Sequence, residues 1–250
     1  MSLGADRCGT DAPAWTRADH SDPWTMYYVV RKDCALSLGQ AMSLAGAGAV
    51  LCAQQWRGTP AWAQAFAIWR EHGWRKVTLR ADASQFGRLR DELDCALLDG
   101  PDGETLLCLP PRQKSAREPL LAHLAAYTDA PRPDRQPPPP TGAVMRYVVR
   151  AAVMKSMGKA MAQAGHAALM CADRLEQAHR RAFAAWRENA RAGVVLLGDD
   201  VDWARVQQQA DCVVVRDAGL TQVQAGTETV LALVPSLEPA AAVAALQIVA

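Results

Sequence analysis

An amine, a primary amide and an imidazole recur along one stripe of the stretch M-G-K-A-M-A-Q-A-G-H-A-A-L, residues 157–169. At helical spacing Lys159, Gln163 and His166 (i, i+4, i+7) share a face, while Met157, Met161, Ala164, Ala168 and Cys171 fall opposite. One face packs and the other presents groups able to carry charge, donate a proton or accept one. The small residues between them, Ala160, Ala162, Ala164, Gly165 and Ala167, let the helix lie close to a sheet or admit a bulky substrate. A solvated surface helix has the same look, so a second stretch must decide. That stretch is V-V-V-R-D-A-G-L-T-Q-V-Q-A-G-T-E-T-V-L-A-L, residues 213–233. The β-branched run Val213 to Val215 delivers Arg216 and Asp217 at its end. Gly219 then breaks the strand, with Thr221 and Gln222 in the turn. Gly226 turns the chain into a second strand over 229–234. Charged and hydroxyl groups at the end of a buried strand are placed like site residues.

The elements that must hold these groups recur. Sliding the chain by 119 positions pairs Tyr28 with Tyr147, Ser37 with Ser156, Gly39 with Gly158, Met42 with Met161, Gly46 with Gly165 and Cys52 with Cys171. A slide of 117 then pairs Phe66 with Phe183, Trp69 with Trp186, Asp94 with Asp211 and Cys95 with Cys212, as one loop-length difference would. The rare Trp and Cys pairings argue against chance in an alanine-rich chain. In the second copy the pattern predicts strand, long helix, helix, strand, helix, strand, strand and terminal helix. These fall near 145–150, 157–175, 177–191, 193–197, 201–209, 211–216, 228–234 and 238–247. Interleaved strands and helices predict two related small α/β domains, each layered about a mixed sheet. Residues 1–23 read as a disordered tail, 24–128 as the first copy, the proline-dense 129–142 as a stiff extended linker and 143–250 as the second copy.

G-K-x-x-x-Q-x-x-H on a helix, followed by R-D-A-G-x-T-Q-x-x-x-G-T between two strands, resembles the archaeal and eukaryotic type of peptidyl-tRNA hydrolase, including its actinobacterial members, over roughly residues 144–235. The resemblance implies a mixed sheet of about four strands with helices on both faces. It also implies hydrolysis of the ester between a peptide's C-terminal carboxyl and the ribose of the tRNA's terminal adenosine. On that footing Lys159, Gln163 and Asp217 occupy the family's catalytic core. Asp217 would orient or deprotonate water, or hold Lys159 charged. Lys159 would stabilise the oxyanion or a phosphate, and Gln163 would donate to the carbonyl. His166 is either a proton shuttle or a structural hydrogen-bonder. Arg216, Thr221 and Gln222 are candidates for the site, although the last two also suit turn capping, and Gly219 and Gly226 serve backbone geometry.

Candidate RNA contacts are Lys155, Arg180, Arg181, Arg187 and Arg191, which read equally as solvated helix residues. The sequence departs from the family where Ala151 and Ala152 follow Arg150, in place of a motif ending in Asp, and where Leu220 replaces a basic residue. The first copy keeps Asp33 near that lost position, but has Gln40, Leu44 and Ala47 at the stripe positions and no counterpart of R-D-A-G-L-T-Q. It therefore reads as catalytically empty, docked on the second copy as an intramolecular pseudo-dimer that stabilises or shapes it. The alternative function is a non-catalytic relative that binds RNA or a protein through the same cleft.

With 250 residues, half of them hydrophobic, the chain can bury substantial cores. A net charge of +1 confines any RNA site to a local patch. Seven cysteines without a C-x-x-C pair argue against a disulfide framework or zinc, and no cofactor or metal is called for. The polar N-terminus is neither signal peptide nor anchor, and no apolar run is long enough for a membrane span, so the expected location is the cytoplasm. Gly158-Lys159 lacks the other marks of a phosphate loop, and neither a dinucleotide fingerprint, a G-x-S-x-G elbow nor an H-E-x-x-H helix occurs.

Overall fold

The computed structural model describes residues 8–9, 22–131, 141–150, 153–219 and 223–249. Before the linker these form β1 (Cys8–Gly9), β2 (Trp24–Arg31), α1 (Leu38–Trp56), α2 (Ala63–Glu71), β3 (Lys76–Ala81), α3 (Ala83–Glu92), β4 (Ala96–Gly100), β5 (Gly103–Gln113), α4 (Pro119–Ala122) and β6 (Ala125–Ala126). After it come β7 (Met145–Val149), α5 (Met157–Leu175), α6 (Arg180–Glu188), β8 (Gly193–Leu197), α7 (Asp200–Gln209), β9 (Cys212–Arg216), β10 (Glu228–Leu233) and β11 (Gln247–Val249).

Two mixed sheets result, ordered β4-β5-β2-β3-β6 and β1-β9-β10-β7-β8-β11. In each, a central strand is parallel to one neighbour and antiparallel to the other: Tyr28 of β2 faces Thr78 and Cys108, and Tyr147 of β7 faces Val195 and Ala232. Both central strands are buried on both faces, and their buried residues are apolar apart from Thr25 and Arg146, whose guanidinium is held by Ser236. Side chains alternate between two cores. Met26, Tyr28 and Val30 share one cluster with Met145, Tyr147 and Val149. Tyr27 and Val29 pack outward with Phe86 and Leu89 of α3, and Val148 packs outward with Trp203 and Val206 of α7.

The shared inner cluster is built on α1 and α5, which lie against each other between the sheets. Their small residues permit the approach. A Cβ on Gly165 would overlap the hydroxyl of Tyr28, and one on Gly46 would overlap that of Tyr147, so each glycine makes room for the other half's tyrosine. Gly193 N donates to Ser43 Oγ at 2.8 Å, and Arg57 and Arg70 both pair with Asp173 at 3.2 and 3.1 Å. Both second helices end in consecutive left-handed residues, Gly73 and Trp74 after α2, Ala190 and Arg191 after α6. The turn at Ala190 thus closes a helix that periodicity alone extended to 191.

Two further expectations change. The sheets carry five and six strands, because β6, β11 and β1 extend edges beyond the four-stranded pattern. The terminal helix over 238–247 is absent: turns occupy 241–245, then Ile248 pairs with Leu196 along β8. The exposed edge of β8 offers backbone partners to a β-branched segment, while Ala242 and Val243 are held in the outer core. Within the expected tail, Cys8–Gly9 runs parallel to Cys212–Val213, and Asp22 accepts from the Ser115 amide at 2.7 Å. The rest of residues 1–21, and 132–140 of the linker, lie outside the described residues. Among the described residues no helix is long and apolar enough to cross a membrane.

Candidate active site

Helix α5 begins at Ser156, whose extended backbone and buried hydroxyl cap it: Lys159 N donates to Ser156 Oγ at 3.3 Å. From that start the stripe faces the ends of β9 and β10. Lys159 Nζ donates to Asp217 Oδ2, and Gln163 Nε2 donates to the same oxygen at 2.7 Å. Gly219 N donates to Asp217 Oδ1 at 2.8 Å. The Asp217 backbone is clamped as well, its N–H to Thr227 O and its carbonyl by Gly226 N, both at 2.8 Å. Gly219 and Gly226 sit at φ +74° and +84°, where a side chain is strained.

Behind the pair stands a residue the sequence reading missed. Thr229 Oγ1 donates to Gln163 Oε1 at 2.7 Å, a better geometry for its single proton than the 3.3 Å to Val215 O. A carboxylate only accepts, so the amide nitrogen must face Asp217 and the amide oxygen Thr229. By strand alternation Thr229 belongs with Leu231 and Leu233 on the outer face. The register shifts between Glu228 and Val230, and this bulge turns the hydroxyl toward α5. The only sequence signal was a lone threonine opening the apolar run T-V-L-A-L. The first half bulges at the matching place, between Leu98 and Asp99, but there Thr105 Oγ1 donates to Gly103 O at 2.6 Å.

Lys159 keeps 10 % of its side chain exposed and Asp217 only 4 %. The lysine side chain therefore keeps an edge in solvent, while the carboxylate is buried beside it. Such a cluster can present a fixed positive charge and oriented amide to a developing oxyanion. His166, partly buried, lies one turn beyond Gln163. Burial first, then the ammonium groups of Lys76 and Lys159, hold its imidazole well below the usual histidine range, so it is neutral at neutral pH.

Arg216 is not drawn into the cluster. It pairs with Glu228 at 2.8 Å, and Glu228 also accepts from Trp203 Nε1 at 2.7 Å beside the outer core. Lys155 is exposed just before the helix. Arg180 and Arg181 are exposed at the start of α6, Arg187 pairs with Glu176, and Arg191 donates to Gln54 at 2.8 Å. At 1.5 Å per residue, the end of α5 at Leu175, next to the Glu176 that Arg187 meets, lies on the order of 24 Å along the helix from Lys159. Asp33 pairs with Arg31 at 2.7 Å on the exposed surface. Leu220, Thr221 and Gln222 lie outside the described residues. Among the described residues no three His, Cys, Asp or Glu side chains converge as metal ligands.

The family model for Peptidyl-tRNA hydrolase PTH2 matches residues 143–244, the half that carries this cluster. A peptidyl-tRNA hydrolase of Thermoplasma acidophilum is 33% identical over 100 residues, covering 86% of that protein and 38% of this chain. One from Pyrobaculum aerophilum is 34% identical over 100 residues, covering 83% of it and 37% of this chain. A third, from Thermoplasma volcanium, is 32% identical over 87 residues, covering 74% of it and 32% of this chain. Relatives covered across most of their length, and a model match over the residues that assemble Lys159, Gln163 and Asp217, establish that the chain belongs to the Peptidyl-tRNA hydrolase PTH2 family.

Proposed function

We propose that this chain is a peptidyl-tRNA hydrolase that returns tRNA to use by cleaving the ester at its 3′ end. The observation that carries the reading is the convergence of Lys159, Gln163 and Asp217 in one partly open cluster. A water oxygen adds to the ester carbonyl carbon, the carbonyl oxygen takes the negative charge, and the bond to the ribose oxygen breaks. The water's proton ends on that ribose oxygen. Lys159 faces the oxyanion. Asp217, engaged by Lys159, Gln163 and the Gly219 amide, holds the lysine rather than taking a proton from water. Gln163 locks the carboxylate through one N–H and retains a second donor for the substrate.

Lys155 beside the helix start, and Arg180, Arg181 and Arg187 at its far end, are assigned to RNA phosphates, with Arg57, Arg180 and Arg187 lining a cleft of about 510 Å³ between the halves. The halves are read as a degenerate tandem duplication, 24–128 and 143–250 joined by 129–142, docked as an intramolecular pseudo-dimer. The shared strand order, the matching bulges and the reciprocal tyrosine–glycine contacts support this. The cytoplasm is the assigned location, in keeping with free thiols at Cys34, Cys52, Cys95 and Cys108.

The test is turnover of a peptidyl-tRNA by the purified chain and by Lys159→Ala. Removing an aimed electrostatic group should cost about 100- to 1000-fold in rate. Equal rates would leave a binding protein in place of a hydrolase. Affinity for tRNA should also fall steeply with added salt.

A further inference from the structure

Helix α5 caps itself only in part. Of its first four amides, those of Lys159 and Ala160 return to Ser156, at 3.3 and 3.0 Å. Those of Met157 and Gly158 donate to Asp129 O at 2.9 Å and Tyr127 O at 3.0 Å. The Gly158 carbonyl in turn accepts from Thr78 Oγ1 at 3.2 Å. All three partners precede the second half in sequence. Helix α1 offers the contrast: Ser37 and Gln40 close a reciprocal capping box. Lys159 stands at the matching position of α5, and its side chain is drawn to Asp217 instead. An ammonium has no lone pair with which to close such a box, and the two amides that Ser156 leaves over find their acceptors in the chain that runs from the first half into the linker.

The fit is tight. A Cβ on Gly158 would overlap the Tyr127 carbonyl, so the residue before Lys159 must lack one for the segment to lie there. Arg80 fastens that segment. Its Nη1 pairs with Asp129 at 2.9 Å, its Nη2 donates to Lys32 O at 2.8 Å, and its guanidinium lies 4.8 Å from the Tyr127 ring centre.

We propose that the first half is a working part of the active site, with Arg80 as a positioning residue that clamps residues 127–129 over the start of α5 and so fixes where the Lys159 ammonium meets the ester. The proposal rests on the hydrolase reading above. It predicts loss of turnover without loss of binding, because a shift of about 1 Å in a catalytic group costs up to about 100-fold in rate.

The experiment uses the full chain as wild type, Arg80→Ala, Arg80→Lys and Thr78→Val. It measures kcat and KM on peptidyl-tRNA together with hydrogen exchange at the Met157 and Gly158 amides. Arg80→Ala should lower kcat about tenfold or more, leave KM within about twofold and speed exchange at both amides. Arg80→Lys should recover part of kcat by keeping a charge on Asp129. Thr78→Val, which removes one donor at nearly constant volume, should act in the same direction more weakly, and it carries the test if Arg80→Ala fails to fold. Unchanged exchange overturns the clamp. Faster exchange with kcat within about twofold of wild type overturns its catalytic purpose. A wild type inert toward peptidyl-tRNA overturns the hydrolase reading and that purpose together, while faster exchange in Arg80→Ala would still support the clamp.

Discussion

The hydroxyl of Thr229 donates to the amide oxygen of Gln163 at 2.7 Å, and only the bulge between Glu228 and Val230 lets it do so. Thr229 is fully buried, so Thr229→Val removes a donor at almost constant volume and strands the amide oxygen. Unfolding in urea should show a loss of about 1–3 kcal/mol. Turnover should fall about tenfold as Gln163 loses its orientation. Wild-type turnover with the same stability loss would confine Thr229 to packing.

Lys159 and Asp217 should behave as one unit. Alone, Asp217→Ala leaves a mostly buried ammonium without its carboxylate, and Lys159→Ala leaves the reverse. Either should destabilise by about 3–5 kcal/mol. The double variant should cost less than the two losses together, with a coupling of at least about 1 kcal/mol in a double-mutant cycle. Additive losses would mean that the pair is not coupled in solution.

The reciprocal contacts across α1 and α5 predict matched rescues. Gly165→Ala and Gly46→Ala should each destabilise by about 1–3 kcal/mol through overpacking. The nearest obstacle is a phenolic oxygen in both cases, from Tyr28 and Tyr147 respectively. Tyr28→Phe should therefore recover part of the loss in Gly165→Ala, and Tyr147→Phe part of that in Gly46→Ala. The crossed combinations should recover nothing, and thermal unfolding of the two single and four double variants beside wild type reads the result.

Lys76 sets a pH dependence. Its ammonium is buried against Trp69 and Trp74, 4.7 and 5.9 Å from the ring centres, and burial pulls its pKa well below the ordinary lysine value. Between the lowered folded value and 10.5, the unfolded chain binds the extra proton, so this group's contribution to stability rises with pH. Lys76→Met should stabilise the fold at neutral pH by about 1–3 kcal/mol. That advantage should shrink as pH rises toward 10.5. His166 acts in the acidic range: its pKa is also lowered, so its contribution to stability falls as pH drops below 6.5. Chemical denaturation from pH 5 to 10 should show less slope on the alkaline side for Lys76→Met than for wild type.

Residue periodicity by itself determined the helix stripe and most of the elements, though not the edge strands or the chain after β10. The bounds of α5 follow from its apolar spacing, and the strand ahead of Asp217 from its valine run, because both patterns are local. The offsets of 119 and 117 also aligned strands that occupy matching places in two sheets, since equivalent residues must face equivalent neighbours. The separation of Arg216 from Asp217 was not legible: adjacent residues at a strand end point to opposite faces, and one met Glu228 while the other met Lys159. Nor was the role of Thr229, because a bulge depends on the register between two strands rather than on the residue that bulges. The cap on α5 lay further from view, since Tyr127, Asp129 and Thr78 act mainly through backbone atoms or a single hydroxyl some thirty to eighty residues away. Side-chain chemistry and spacing thus named the charged partners. Tertiary packing alone decided what orients them, because long-range hydrogen bonds to the backbone leave no periodic trace in a sequence.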